Sequence, residues 1–464
     1  MERLTSFDTS FLVNERGNAH MAIGAVLMCE GTPPAQADFL THIRSRVHQL
    51  PRLRQRLHYP PLGLGTPFWV DDPHFEIHRH VHRVRLPAPG SEGQFRELVG
   101  ELLGPPLARG KPLWELTLVE GFAEDRFAIL YKTHHAMADG ISAVDIGMLL
   151  FDVEPKSEPE RSEAPWSPNR LPSRRRLTAQ AGLGILATLA RFGRWLRRAL
   201  DDPSRARRRA ADGLAGLWEV TWNLARPAPR TPLNAAEIGA GRSFCWQTFE
   251  LDDFKRVKNA LGGTVNDVSL AVAAGALRRW LLEREVAVDG MELKALVPVS
   301  IRSEDEHGEL GNKLTAMRGP LPVGVADPAQ RLRAVSAAMD GLKASKQPLG
   351  AEAIWGLNDW FRDFAPPLLL APTAAINFST RLFNLLVTNF PGPQIPFYVL
   401  GRELTAIYPI GFLAHRHSLA IAILSYNGQV SFGLLADPES LPEAERIGEH
   451  VRAAVAELRA LADG

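Results

Sequence analysis

The chain has 464 residues, 45% of them hydrophobic and 23% charged, which is enough for two substantial domains with a sizeable apolar core. Lysine and arginine number 53 against 52 aspartate and glutamate, so no global field draws the chain to nucleic acid. The two cysteines, Cys29 and Cys245, lie far apart in apolar settings without a CxxC spacing, which argues against zinc or redox chemistry and favours a reducing cytoplasm.

The N-terminal stretch MERLTSFDTSFLVNERG has no basic segment leading into an apolar one, so no secretory signal is expected. Asp38 to Leu50 carries apolar residues with Arg44, Arg46 and His48 at helical spacing and stops before Pro51. His78, His80 and His82 alternate in a strand-like segment and are expected to share one exposed polar face. Phe127 to Tyr131 is an apolar run of the buried-strand type. It leads straight into His134-His135-Ala136-Met137-Ala138-Asp139-Gly140, and Ile141, Val144, Met148 and Leu149 then suggest a helix. A first unit is therefore expected over 1–153.

From Glu154 to Arg230, Pro155, Pro159, Pro165, Pro168 and Pro172 mark a loop, followed by helix-like segments rich in Arg and Trp. This reads as a bridge over 154–230. The last unit, 231–464, offers strands at Phe244–Leu251, Leu293–Val299, Ser418–Leu424 and Gln429–Leu435. Asn427-Gly428 between the last two favours a hairpin turn, and strong helix formers follow Pro442. Mixed strands and helices in two halves imply an α/β (α+β layered) fold. No window holds about 18 uninterrupted apolar residues; the best, 365–387, is broken by Pro366, Pro367, Pro372, Asn377 and Arg381.

Chemistry concentrates in the heptapeptide, which fits HHxxxDG. A histidine with an ordinary pKa near ~6.5 can take and return a proton at neutral pH. Acyl transfer from a thioester to an alcohol needs such a base, and His135 is the candidate. His134 and Asp139 more naturally fix the loop, the carboxylate pairing with a buried arginine, while Gly140 permits the turn. Two plainer readings stay open: the histidines simply cap a helix, or His135 and Asp139, four apart, bind a metal for which no third ligand is identifiable. Thr264 with Asp267 matches a capping box at a helix start. Gly182 to Ala187 matches GxGxxA but lacks a preceding strand, His415 and His417 carry the same caution as the earlier histidine trio, and no GxSxG elbow supports a serine acyl-enzyme.

Beyond the heptapeptide, several segments occur in a telling order. They are Leu4 to Leu12 (LTSFDTSFL), Pro51 to Arg56 (PRLRQR), Pro112 to Glu115 (PLWE) and Asn266-Asp267-Val268. Val297 to Arg302 (VPVSIR), Thr388 to Pro393 (TNFPGP) and Ser425 to Gly428 (SYNG) complete the set. With these the chain resembles the bacterial wax ester synthase/diacylglycerol acyltransferase family, within the HHxxxDG acyltransferases that include chloramphenicol acetyltransferase and condensation domains. The resemblance covers nearly the whole chain. It implies two chloramphenicol-acetyltransferase-like subdomains with a tunnel between them, coenzyme A entering one mouth and the lipid acceptor the other. It also implies His135 as general base, Asp139 turned towards an arginine (Arg54, or Arg302 as alternative), and Asn266 and Asp267 facing the site.

The activity so implied is acyl-CoA-dependent esterification of diacylglycerol or a long-chain fatty alcohol, with acyl-CoA as a substrate and no bound cofactor. The alternatives are an acyltransferase of specialised metabolism and a non-catalytic lipid-binding relative. Arg191, Arg194, Arg197 and Arg198 lie among Leu186, Leu189, Phe192, Trp195 and Leu196, a pattern suited to an anionic membrane surface and equally to a solvated linker helix. The expected location is therefore cytoplasmic, peripheral to the membrane's inner face or to lipid inclusions.

Overall fold

The computed structural model describes residues 2–63, 65–137, 151–156, 166–171, 227–300, 314–344 and 378–464, together with Ser173, 175–179 and scattered positions from 183 to 201. A small sheet forms at the N-terminal end from β1 (Glu2–Arg3), β3 (Gln55–His58) and β4 (Phe68–Asp71), in the order β1-β4-β3. Two six-stranded sheets carry the rest.

The first large sheet contains β2 (Ala22–Glu30), β5 (Val81–Arg85), β6 (Trp114–Glu120) and β7 (Arg126–His134). Two strands from far along the chain, β12 (Phe397–Val399) and β13 (Arg402–Ile410), complete it in the order β12-β13-β2-β7-β6-β5. The second contains β8 (Ser243–Glu250), β9 (Leu293–Ser300), β10 (Leu314–Leu321), β11 (Leu385–Pro391), β14 (Leu419–Tyr426) and β15 (Gln429–Ala436). Its order is β10-β9-β11-β14-β15-β8, with β11 parallel to both its neighbours. The span 231–464 thus does not keep its strands to itself, because 397–410 crosses over and pairs with β2.

Both central sheets are covered on both faces, and that explains their continuous apolar runs. In β2, Leu27 and Cys29 face one cluster with helix α2 (Gln36–Val47), while Val26 and Met28 face another together with Phe95, Val99 and Leu103 of α3 (Glu92–Leu103). The second cluster also holds Phe244, Leu386, Ala406 and Leu435, so it fills the space between the two large sheets. The other side of the second sheet packs on α4 (Leu251–Leu261), α5 (Val265–Glu283), α6 (Pro328–Ala344) and α7 (Ala444–Asp463). Between the two large sheets, a Cβ on Gly433 of β15 would lie 1.9 Å from the Pro409 carbonyl oxygen of β13. Only glycine fits there.

Most expected elements appear within a few residues of their predicted bounds, including the Asn427-Gly428 turn, with φ of 43° and 82° and pairing of Tyr426 with Gln429. The histidine trio is a correction. Residues 77–79 form a 3-10 turn rather than strand, so the alternation breaks and His80 swings inward. His80 is buried, bonds the Trp114 carbonyl through Nδ1 at 2.8 Å and stacks on the Trp114 ring at 4.7 Å. His417 is likewise a core residue, bonded to the Phe383 and His415 carbonyls. Both cysteines are free and buried.

Candidate active site

Strand β7 passes without a loop into a single 3-10 turn, His135–Met137. Backbone bonds fix where this turn leaves the sheet. The His134 amide donates to the Leu113 carbonyl (3.0 Å) and the His135 amide to the Met21 carbonyl (2.9 Å). Leu113 belongs to the PLWE segment, whose Trp114 is buried and donates its indole N–H to the Leu53 carbonyl at 2.7 Å. The conspicuous tryptophan is therefore a brace beneath the histidine turn.

His134 is buried and fully engaged. Its Nδ1 accepts from the Ala136 amide (3.0 Å), which can only donate, so the proton must sit on Nε2, 3.0 Å from Glu15 Oε1. Glu15 also accepts from the Met21 amide at 3.0 Å and from Arg109 at 2.6 Å. Burial works against ionisation of Glu15, yet the hydrogen bonds it accepts from His134, Arg109 and the Met21 amide outweigh it and hold the carboxyl down at about 2. One permanent carboxylate thereby sets the tautomer and orientation of the first histidine.

His135 differs in every respect. Helix α1 (Ser6–Asn14), N-capped by Thr5, lays Phe11 flat on its ring at 4.0 Å, and Phe412 meets it edge-on at 5.6 Å. The ring lies deep within the protein, yet the residue is only partly buried and keeps some accessible surface. Burial first, and the neighbouring His134 second, push its pKa down to about 4. Its own backbone carbonyl opposes this only in part. The arrangement is a neutral imidazole with one nitrogen available to accept a proton.

Of the other expected site residues, Asp139, Gly140 and Arg302 lie outside the described residues. Arg54 rests its guanidinium over the Trp166 ring at 4.6 Å, with the charge of Asp71 nearby. Asn266 and Asp267 open α5. Asp267 is buried and closes a capping box with Thr264, accepting its amide at 2.9 Å, while Asn266 Oδ1 accepts from Asn389 of the TNFPGP segment at 3.1 Å. Among the described residues no group of three or more histidine, cysteine, aspartate or glutamate side chains is placed to hold a metal. Sequence reasoning missed Glu15 and Arg109. It used Phe11 only as part of a motif, although Phe7 and Phe11, spaced i, i+4, signal a shared helix face.

The chain matches the family model for the wax ester synthase/diacylglycerol acyltransferase catalytic domain over residues 4–269 and that for the family's C-terminal domain over 310–459. It is 32% identical to a protein of Mycobacterium tuberculosis named a probable diacylglycerol O-acyltransferase, covering 99% of this chain and 96% of that one. Among solved structures it resembles the wax ester synthase/diacylglycerol acyltransferase from Marinobacter aquaeolei VT8, with a TM-score of 0.69, 26% identity and full coverage of both chains. The first condensation domain of the calcium-dependent antibiotic synthetase shares the fold at 17% identity and a TM-score of 0.59, over 99% of this chain and 96% of that one. A two-sheet architecture, a histidine pair at the end of a central strand and a match along nearly the full length lead to one assignment: the chain belongs to the wax ester synthase/diacylglycerol acyltransferase family.

Proposed function

We propose that this protein transfers the acyl group of an acyl-CoA to the hydroxyl of diacylglycerol or a long-chain fatty alcohol, with His135 as general base. The observation that carries the reading is the state of the His135 ring: held uncharged, partly accessible, and packed against the aromatic rings of Phe11 and Phe412. His135 Nε2 takes the proton of the acceptor hydroxyl as its oxygen bonds to the thioester carbonyl carbon. When the C–S bond of the tetrahedral intermediate breaks, the imidazolium returns that proton to the departing thiolate. The products are an ester and free coenzyme A, and the balance draws on no resident cofactor. Asn266 gives its side-chain oxygen to Asn389, which leaves its own N–H donors for a developing oxyanion.

Replacement of His135 by alanine tests the role. With palmitoyl-CoA and either diacylglycerol or hexadecanol, ester formation should fall about 100- to 10,000-fold while the melting temperature stays within a few degrees. Undiminished turnover overturns the assignment. Competition between the two acceptors in one reaction decides which alcohol is preferred.

Peripheral attachment to a lipid surface is part of the same reading. At the described linker positions, Leu183, Leu186 and Leu200 are exposed alongside Arg194 and Arg197. Among the described residues no single helix is long and apolar enough to cross a membrane.

A further inference from the structure

A cavity of about 190 Å³ opens where the end of α1, residues 378–380 and the loop between β13 and β14 meet. That is more than ten times the roughly 10–15 Å³ that one water requires by the same measure. Arg16 and Arg416 both line it, together with His415, Ser379 and Thr380. No carboxylate is among the described lining residues.

The positive charge there lacks its usual compensation. Among the described residues neither arginine has an ion-pair partner, and Arg416 bonds only the Ala235 carbonyl, through Nε at 3.3 Å. Its two terminal nitrogens are therefore uncommitted. After desolvation, the charges of Arg16 and Arg416 are what push the His415 imidazole down, and Glu237 opposes them only in part. Ser379 Oγ accepts from the Arg381 amide at 3.2 Å, so its own proton is left to donate. Arg416 moreover holds a left-handed φ of 66°, a conformation that is uncommon for non-glycine residues and that clusters at ligand sites.

Two guanidinium groups and a hydroxyl donor converging on a cavity suit a phosphate oxygen array, which arginine grips in bidentate fashion. The place matters as much as the chemistry. Phe378, on the cavity wall, touches Phe11 (ring centroids 5.9 Å apart) and Phe412 (6.0 Å), and these two rings enclose His135. One aromatic layer separates the cationic cavity from the imidazole.

We propose that this cavity binds the phosphate of a substrate-side ligand through Arg16 and Arg416. The phosphate comes from the coenzyme A nucleotide or from an anionic lipid headgroup. The coenzyme A source rests on the reading of the protein as an acyl-CoA-dependent enzyme. The test uses the full-length R16Q/R416Q variant, both arginines being exposed so that folding is not at stake, and an R16K/R416K control that keeps the charge. Calorimetry with free coenzyme A needs no turnover, so its outcome is independent of whether His135 is the base. Co-sedimentation compares phosphatidylcholine vesicles with and without phosphatidylglycerol.

Weakening of coenzyme A binding by about 10- to 100-fold in the glutamine variant, with partial retention in the lysine one, supports the nucleotide source. In that case the KM for palmitoyl-CoA should rise about tenfold more than that for the palmitoyl thioester of N-acetylcysteamine, which carries no phosphate. Loss of the phosphatidylglycerol-dependent sedimentation alone supports the headgroup. Unchanged binding of both ligands by the glutamine variant overturns the proposal.

Discussion

Glu15 accepts three hydrogen bonds, and each donor bears on the histidine pair: His134 itself, the amide of Met21, whose carbonyl holds His135, and Arg109, which ties the group to the Leu12 carbonyl of α1. Glu15→Gln keeps the shape but sets an amide N–H2 against groups that can only donate. The expected result is a loss of about 2 kcal/mol in stability and a 10- to 100-fold fall in kcat with KM little changed, because the imidazole would be misplaced rather than removed. Denaturant unfolding alongside steady-state kinetics checks both, and an unaltered kcat would reduce Glu15 to a structural prop. His135 was legible because HHxxxDG is local. Glu15 was not, because it meets His134 across 119 residues and no periodicity announces such a pair. The role of Asp139 as read from the motif depends on residues beyond those described, whereas the Glu15–Arg109 pair does related orienting work for the first histidine.

Among the elements, the β12–β13 hairpin is the most consequential, since it leaves its own half and completes the first sheet against β2. Tyr426, at the end of β14, clasps it there. Its hydroxyl accepts from the Phe397 amide at 2.8 Å and donates to the Leu404 carbonyl at 3.0 Å, all three groups being buried. Tyr426→Phe strands an amide and a carbonyl without water, so a stability loss of about 2–3 kcal/mol is expected. Equilibrium urea unfolding measures it, and a change under half a kilocalorie would show that relaxation rescues both groups. Strands β7, β8, β9, β14 and β15 were readable from apolar runs and turn residues. Strand β13 was not singled out, and the sheet that each strand joins was not readable either, because that depends on long-range pairing. The histidine trio failed for a related reason: an alternating pattern cannot reveal that a 3-10 turn interrupts it and that Trp114 waits to stack on His80.

For the molecule as a whole, acid is the weak point. Burial holds His20, His80, His135 and His417 each at about 4, well below the ordinary imidazole value. Between about pH 6.5 and 4 the unfolded chain therefore binds protons that the folded one refuses, and stability falls as pH drops through that window. Each such group contributes up to about 1.4 kcal/mol per pH unit. Glu15, held at about 2, adds a further loss as pH falls below the ordinary carboxylate range. The melting temperature should thus decline steeply from pH 6.5 to 4.5, while kcat/KM of the surviving folded enzyme shows no ionisation near 6.5. A kinetic step at 6.5 would mean that His135 is not held uncharged by its surroundings. The partner strand of β2 carries a different consequence, one of biosynthesis. Because β13 lies some 370 residues downstream of β2, the nascent chain presents an apolar, unpaired strand edge for on the order of tens of seconds at ordinary translation rates. That edge needs shielding until about the last seventh of the polypeptide emerges to cover it.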